Sequence, residues 1–260
     1  MSIPPARSED LELAITMADR TSPIALKWFS SADLITRSKA DGSPVTQADE
    51  AVERYLREMV AEADPTAGVI GEEEGRSSKD SPRLWFFDPI DGTTSFVHGV
   101  PLFSTLIALH DEHGPAIGVI SLPALGEVIA AGRGLGCTLN RKPCSVSSQS
   151  TMEGALVTTW GYETWPPSLL AGFQAAKALL RGWGDGYGWA LVATGRADAV
   201  VDFGVNEWDV APMSVILTEA GGHYSAGNGE VAIDRGSGVG TNGPLHQEIL
   251  AILDAAQGSA

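Results

Sequence analysis

The run Leu84-Trp85-Phe86-Phe87, followed at once by Asp88-Pro89-Ile90-Asp91-Gly92-Thr93, constrains this chain more than any other feature. Four large apolar residues in a row require burial on both sides, which suits an interior strand. Proline has no N–H for a strand ladder, so the run is predicted to stop at Asp88-Pro89 and to deliver its last residue to an edge. Two carboxylates then stand just past a buried strand. Unrelieved burial would raise their pKa values and cost stability. A hard divalent cation is the usual remedy, since carboxylate and carbonyl oxygens suit Mg²⁺. Gly92-Thr93-Thr94 adds a sharp turn and then hydroxyls at a helix start, where free N–H groups cradle phosphate.

The elements around this run fall into two halves. Residues 9–29 carry a loose helical pattern with a kink expected near Ser22-Pro23. Val52, Tyr55, Leu56, Met59 and Val60 lie on one face of an amphipathic helix that starts near Thr46. After the aromatic strand, residues 103–109, 116–122 and 128–131 read as an antiparallel meander. From about Ser145 the rhythm becomes strand (155–159), helix (168–181), helix (187–194), strand (199–203), helix (208–220) and helix (244–255). The expected fold class is thus α+β over residues 1–144 and α/β over residues 145–260, two layered subdomains with a seam between them.

Composition narrows the function. Across 260 residues the net charge is −16, with 17 Lys and Arg against 33 Asp and Glu, a field that repels nucleic acid and anionic membranes. An anionic substrate would therefore need a bound cation. The chain has neither a long apolar span nor a signal-like start, so a cytoplasmic setting and no membrane partner are expected. Cys137 and Cys144 read as free thiols. His110 and His113, bracketing Asp111-Glu112, read as part of a solvated hairpin turn ahead of a metal site.

Three further segments carry acids. Gly71-Glu72-Glu73-Glu74-Gly75 alone would be a solvated turn. Asn206-Glu207-Trp208-Asp209 alone would be a helix cap by Asp209. Asp49, three residues after Thr46, has the spacing of a capping box. Taken in order and at these separations, Gly71-Glu72-Glu73, residues 85–93 and Trp208-Asp209-Val210-Ala211 resemble the signatures of the inositol monophosphatase family. The likeness spans nearly the whole chain. It implies a layered α-β-α-β-α sandwich of the inositol monophosphatase and fructose-1,6-bisphosphatase type. It also implies two to three Mg²⁺ ions held by Glu72, Asp88, the Ile90 carbonyl, Asp91 and Asp209. Four carboxylates and a phosphate dianion total about −6, which roughly three Mg²⁺ would neutralise.

By the same resemblance, Asp49, Thr93 and Glu72 are the catalytic residues, Asp49 and Thr93 polarising a water for in-line attack on phosphorus. Asp49 thus has two readings, cap and catalyst, which can coexist. Substrate contacts fall to Ile90, Asp91, Gly92, Thr93, Arg181, Asp185 and Asp209. The segment Arg181-Gly182-Trp183-Gly184-Asp185 resembles the histidinol-phosphate phosphatase branch. There Asp185 either caps a helix or pairs with a cationic substrate. Trp160-Gly161-Tyr162, Tyr187 and Trp189 would add an aromatic wall for an imidazole, or serve as core. The expected partner is a small phosphorylated metabolite, histidinol phosphate first and inositol-1-phosphate as the alternative, in a homodimer. A regulatory member that binds transcription machinery is a third reading. Ser95 and Pro212 depart from the family pattern, and Pro212 requires that it lie in a first helical turn.

Overall fold

A computed structural model describes residues 3–39, 42–77, 79 and 81–257. The outermost ends of the two expected subdomains, 1–2 and 258–260, lie outside the described residues. The chain begins with helix α1 (Ser8–Trp28), a small hairpin of β1 (Thr36–Ser38) and β2 (Pro44–Thr46), and helix α2 (Gln47–Ala63). Strands β3 (Gly68–Gly71), β4 (Gly75–Arg76) and β5 (Leu84–Asp91), helix α3 (Thr93–Val97), then β6 (Ser104–Asp111), β7 (Gly114–Leu122), β8 (Glu127–Gly132), β9 (Gly136–Leu139) and β10 (Lys142–Pro143) follow. These make an eight-stranded sheet in the order β10-β9-β8-β7-β6-β5-β3-β4. The predicted meander is β6–β8, antiparallel throughout.

The second half contains β11 (Leu156–Thr158), α4 (Pro167–Ala175), β12 (Leu179–Arg181), α5 (Asp185–Ala193), β13 (Ala199–Phe203), α6 (Glu207–Val210), α7 (Met213–Glu219), β14 (His223–Ser225), β15 (Ser237–Thr241) and α8 (His246–Gln257). Its five strands form a mixed sheet ordered β12-β11-β13-β15-β14. Apolar stripes dictate how the layers stack. Ala14, Met17, Val52 and Leu56 from α1 and α2 bury against Trp85, Phe87, Ile107 and Val119 on one face of the large sheet. Leu106, Ile120 and Ile129 on its other face meet Trp189 and Val192 of α5 and Met213 and Leu217 of α7. The far face of the small sheet, Val157, Val201 and Val239, is covered by Leu169 and Phe173 of α4 and Ile249 and Leu253 of α8. The result is the α-β-α-β-α sandwich that the resemblance implies. Full burial of side chains such as Trp85 and Phe87 contributes about 1.5–3 kcal/mol each.

Several sequence expectations need correction. The aromatic strand does not stop at Asp88: β5 continues to Asp91 through Pro89 and lies inside the sheet, parallel to β3 and antiparallel to β6. The ladder register shifts between Asp88 and Asp91, so Pro89 sits at an irregularity where its missing donor costs no ladder bond. The Pro89 carbonyl accepts from the Thr105 hydroxyl at 2.8 Å. The helix expected over 168–181 ends at Ala175, because Lys177 turns the chain with φ +59° and residues 179–181 pair parallel to β11. The helix expected over 208–220 is two, α6 and α7, with Pro212 as the cap of the second. β14 and β15 escaped the pattern, since Gly238 and Gly240 lie against the Trp189 ring and give β15 little apolar signal. α1 keeps one continuous span across Pro23. Cys137 and Cys144 are free thiols, their sulfurs 3.6 Å apart.

His246, at the start of α8, is only 4% exposed and lies between the hydroxyls of Ser225 (3.1 Å) and Thr241 (3.2 Å). Burial, with the adjacent His223, lowers its pKa to about 4 from 6.5. A depressed folded value means that this group's contribution to stability is complete above pH 6.5 and is lost as pH falls toward 4. Melting curves should therefore show His246→Gln losing less stability than the parent between pH 7 and pH 4. The expected difference is on the order of 2 kcal/mol after solvent screening. Parallel curves would show that His246 does not carry this pH dependence.

Candidate active site

The C-terminal end of β5 and the turn after it form the floor of a cleft of about 320 Å³ between the two sheets. Glu72, Asp91, Thr93, Asp185, Asp202 and Asp209 are among its lining residues. The turn depends on Gly92, whose φ of +77° is left-handed. A Cβ there would also stand 2.8 Å from the Asp185 carboxylate. Thr93 then opens α3, and its hydroxyl donates to the Ile90 carbonyl at 2.9 Å and, more weakly, to Asp49 Oδ1 at 3.4 Å.

Each acid has a distinct setting. Asp88 is 3% exposed, and its Oδ1 has no hydrogen-bond partner. Burial, then the charges of Glu72, Asp91 and Asp209, raise its pKa well above the usual carboxylate range. Asp91 accepts from the Ser104 hydroxyl and the Gly186 amide, yet burial still pushes it up to about 6. Asp209 is the third residue of α6 and accepts from the Asn206 amide at 2.7 Å, so Asn206, and not Asp209 as the sequence suggested, occupies the cap position. Burial raises Asp209 to about 8, with Asp91 and Glu72 adding repulsion. Glu72 pairs with Lys39 at 2.6 Å, and the same ammonium reaches Glu73 at 2.7 Å.

This is a set of oxygen donors with too much negative charge for the cations the chain supplies. Among the described residues, no three His, Cys, Asp or Glu side chains are gathered in metal-holding geometry. The carboxylates turn instead toward Lys39, Ser104, Gly186 and Asn206. The orphaned, buried Asp88 oxygen and the mutual repulsion around it nevertheless fit a hard divalent cation, which would satisfy the one and relieve the other. His110 is not in a turn: it sits on β6, its ring 4.7 Å from Phe86, while Asp111 pairs with Arg133.

Asp49 combines the two arrangements considered from sequence. Its Oδ2 accepts from the Thr46 amide (2.9 Å) and hydroxyl (2.6 Å), completing a capping box on α2, while Oδ1 faces Thr93. Fully buried, it is pushed up to about 6 mainly by desolvation.

On the opposite wall, Asp185 is the first residue of α5 and not its cap, which is Gly184. It adopts φ +51°, unusual for a residue with a side chain. Burial and the nearby Asp91, Asp202 and Asp209 raise its pKa well above the ordinary value. Arg181 does not join this group: it is exposed, donates to the Leu180 carbonyl at 2.7 Å and lies over Trp183, away from the cleft lining. Three residues at the site were missed in the sequence. Lys39 lacked a motif, Ser104 looked like an ordinary strand residue, and Asp202 lay inside an apolar strand. A lone acid in Ala199-Val200-Val201-Asp202-Phe203 was the available signal for the last. Asp202 is 1% exposed, lines the cleft and is raised to about 7 by burial.

Known proteins resemble this chain in sequence and fold. The model of the inositol monophosphatase family matches residues 6–257. The chain is 38% identical to a histidinol-phosphatase of Chlorobaculum parvum, over 94% of this chain and 96% of the relative. It is equally identical to that of Mycobacterium tuberculosis, over 95% and 98%. It is also 33% identical to an inositol-1-monophosphatase of Synechocystis, over 82% and 78%. The extragenic suppressor protein suhB of Bartonella henselae superposes with a TM-score of 0.88 at 26% identity, over 95% of this chain and 98% of that one. With the family model covering almost the whole chain, and with the β5 acids, the Gly92 turn and the sandwich all in place, the chain belongs to the inositol monophosphatase family.

Proposed function

We propose that this phosphatase hydrolyses L-histidinol phosphate to L-histidinol and phosphate, with Mg²⁺ held by Glu72, Asp88, the Ile90 carbonyl, Asp91 and Asp209. Bound there, the cations would neutralise the phosphate and the charge that develops on the leaving oxygen. The chain's own groups do the rest. The amides at the start of α3 and the Gly92 turn hold phosphate oxygens, and Thr93, backed by Asp49, orients and deprotonates the attacking water. In-line attack forms a P–O bond to the water oxygen as the ester P–O bond breaks, and the departing alkoxide takes up the proton given up by the water and leaves as the alcohol.

The observation that carries the substrate choice is the acidic wall beside the phosphate end. The charged groups acting on Asp185 are all acids, and Asp185 stands half-buried beside Gly92. A substrate with its own ammonium and imidazole supplies the missing positive charge, whereas inositol offers only hydroxyls. Inositol-1-phosphate is the competing reading because the acids of β5 would serve it equally, and an inositol-1-monophosphatase is among the relatives.

Phosphate release in Mg²⁺ from histidinol phosphate, inositol-1-phosphate and an adenosine bisphosphate, compared by kcat/KM, tests the proposal. Preference for histidinol phosphate supports it, and preference for inositol phosphate overturns it. In Asp185→Ser, kcat/KM should fall about 10- to 100-fold on histidinol phosphate and far less on inositol-1-phosphate, the loss expected for one charge-assisted contact. Equal losses on both would make Asp185 a structural residue.

A further inference from the structure

The cleft carries an aromatic surface that phosphate chemistry does not use. Trp160 follows β11 and lines the cleft together with Glu163, Asp185 and Asp202. The residue is 39% exposed, yet two hydrogen bonds fix it. The ring N–H donates to the Phe203 carbonyl at 2.8 Å, and the backbone N–H donates to Asp202 Oδ1 at 2.9 Å. Gly184 backs the same residue so closely that a Cβ there would stand 1.9 Å from the Trp160 nitrogen.

The other nearby indoles differ. Trp189 also lines the cleft, but it is 2% exposed, donates to Asp202 at 3.1 Å and packs on Gly238 and Gly240. Trp183 is equally exposed, but the Arg181 guanidinium stands 5.8 Å from its ring centre and the residue does not line the cleft. Trp160 therefore combines a free ring surface, a fixed orientation and a position in the cleft. Pinning a large side chain in advance lowers the ordering cost of a stacked ligand. An indole face attracts planar and cationic groups, and Asp202, bonded to the Trp160 backbone, places a hydrogen-bonding carboxyl group beside it.

We propose that Trp160 is a specificity-determining residue, a fixed platform on which the planar ring of the ester's alcohol portion stacks, selecting phosphomonoesters with a flat ring over those without one. This deepens the histidinol-phosphate reading and rests on it for the identity of the ring as an imidazole. Trp160 would act on the choice of substrate and not on the bond-breaking step. Substitution should therefore appear mainly in KM, provided that chemistry is slow relative to substrate release.

The test compares the Mg²⁺-loaded parent, Trp160→Ala and Trp160→Phe on L-histidinol phosphate, 2-phenylethyl phosphate and ringless 2-aminoethyl phosphate. In the parent, kcat/KM should favour ring-bearing esters. In Trp160→Ala, the ratio of ring-bearing to ringless kcat/KM should fall about 10- to 100-fold, the scale of aromatic stacking. Trp160→Phe should restore most of that ratio. Calorimetric affinity for the product alcohol L-histidinol should fall by a similar factor in Trp160→Ala, giving a readout independent of turnover. If Trp160→Ala keeps the parent's ring preference, or loses activity equally on all three esters without rescue by phenylalanine, the Trp160 assignment is wrong. If the parent prefers 2-phenylethyl phosphate over histidinol phosphate and Trp160→Ala removes that preference, the histidinol reading falls and the platform stands. A parent with no ring preference overturns both.

Discussion

Asp88→Asn is expected to lower phosphate release by at least about 10³-fold while making the metal-free protein more resistant to heat. Both effects come from one side chain. Asp88 is buried, one of its oxygens is unpartnered, and Glu72, Asp91 and Asp209 all repel its charge. Its folded pKa lies above the unfolded 3.8, so without metal this group weakens the fold as pH rises from 3.8 through the folded value. An amide removes that penalty and can donate to a neighbouring carboxylate. It also removes the charge that a shared cation needs most. Melting curves should show Mg²⁺ raising the parent's Tm, by RT ln(1 + [L]/Kd) in free energy, and hardly moving that of the variant. An active variant, or one whose Tm still climbs with Mg²⁺ like the parent's, would refute the placement of the metal at Asp88.

Asp49→Asn should lower kcat by about 10²- to 10⁴-fold, the range for losing a general base, and change stability by less than about 1 kcal/mol. The asymmetry follows from the two oxygens. Asparagine can still accept from the Thr46 amide with its carbonyl oxygen and keep the box on α2, but it cannot take a proton through Thr93. Because burial holds Asp49 up to about 6, its basic form is depleted as pH falls through that value. The parent's kcat should show an acid limb at or below pH 6 that the variant lacks. Full activity in the variant would reduce Asp49 to a cap.

Legibility along the chain divides by range. The amphipathic helix α2, its start at Thr46, the capping-box acid and the β6–β8 meander were readable because side-chain period and cap chemistry act over a few residues. Pro89 misled because a ladder irregularity lets a proline enter a central strand, and that irregularity is a property of the pair β5–β6, not of β5 alone. Likewise β12 is a strand because β11 offers it a parallel edge. Arg181 looked like a site residue from its spacing to Asp185, but β12 ends there with its side chain on the surface.

The sequence by itself determined the donor chemistry: the aromatic strand, its two acids, the turn at Gly92 and the hydroxyl of Thr93 lie within ten residues, and local geometry ties them together. Tertiary structure alone decided which distant groups meet them. It brought Lys39 to Glu72, Ser104 and Gly186 to Asp91, and Asp202 with Trp160 to the opposite wall. Those contacts join residues as far apart as 95 positions, across layers whose packing is set by apolar burial. Burial also turned a surplus of ordinary carboxylates into a crowded group with raised pKa values, because each charge loses its water and the repulsion among them then grows.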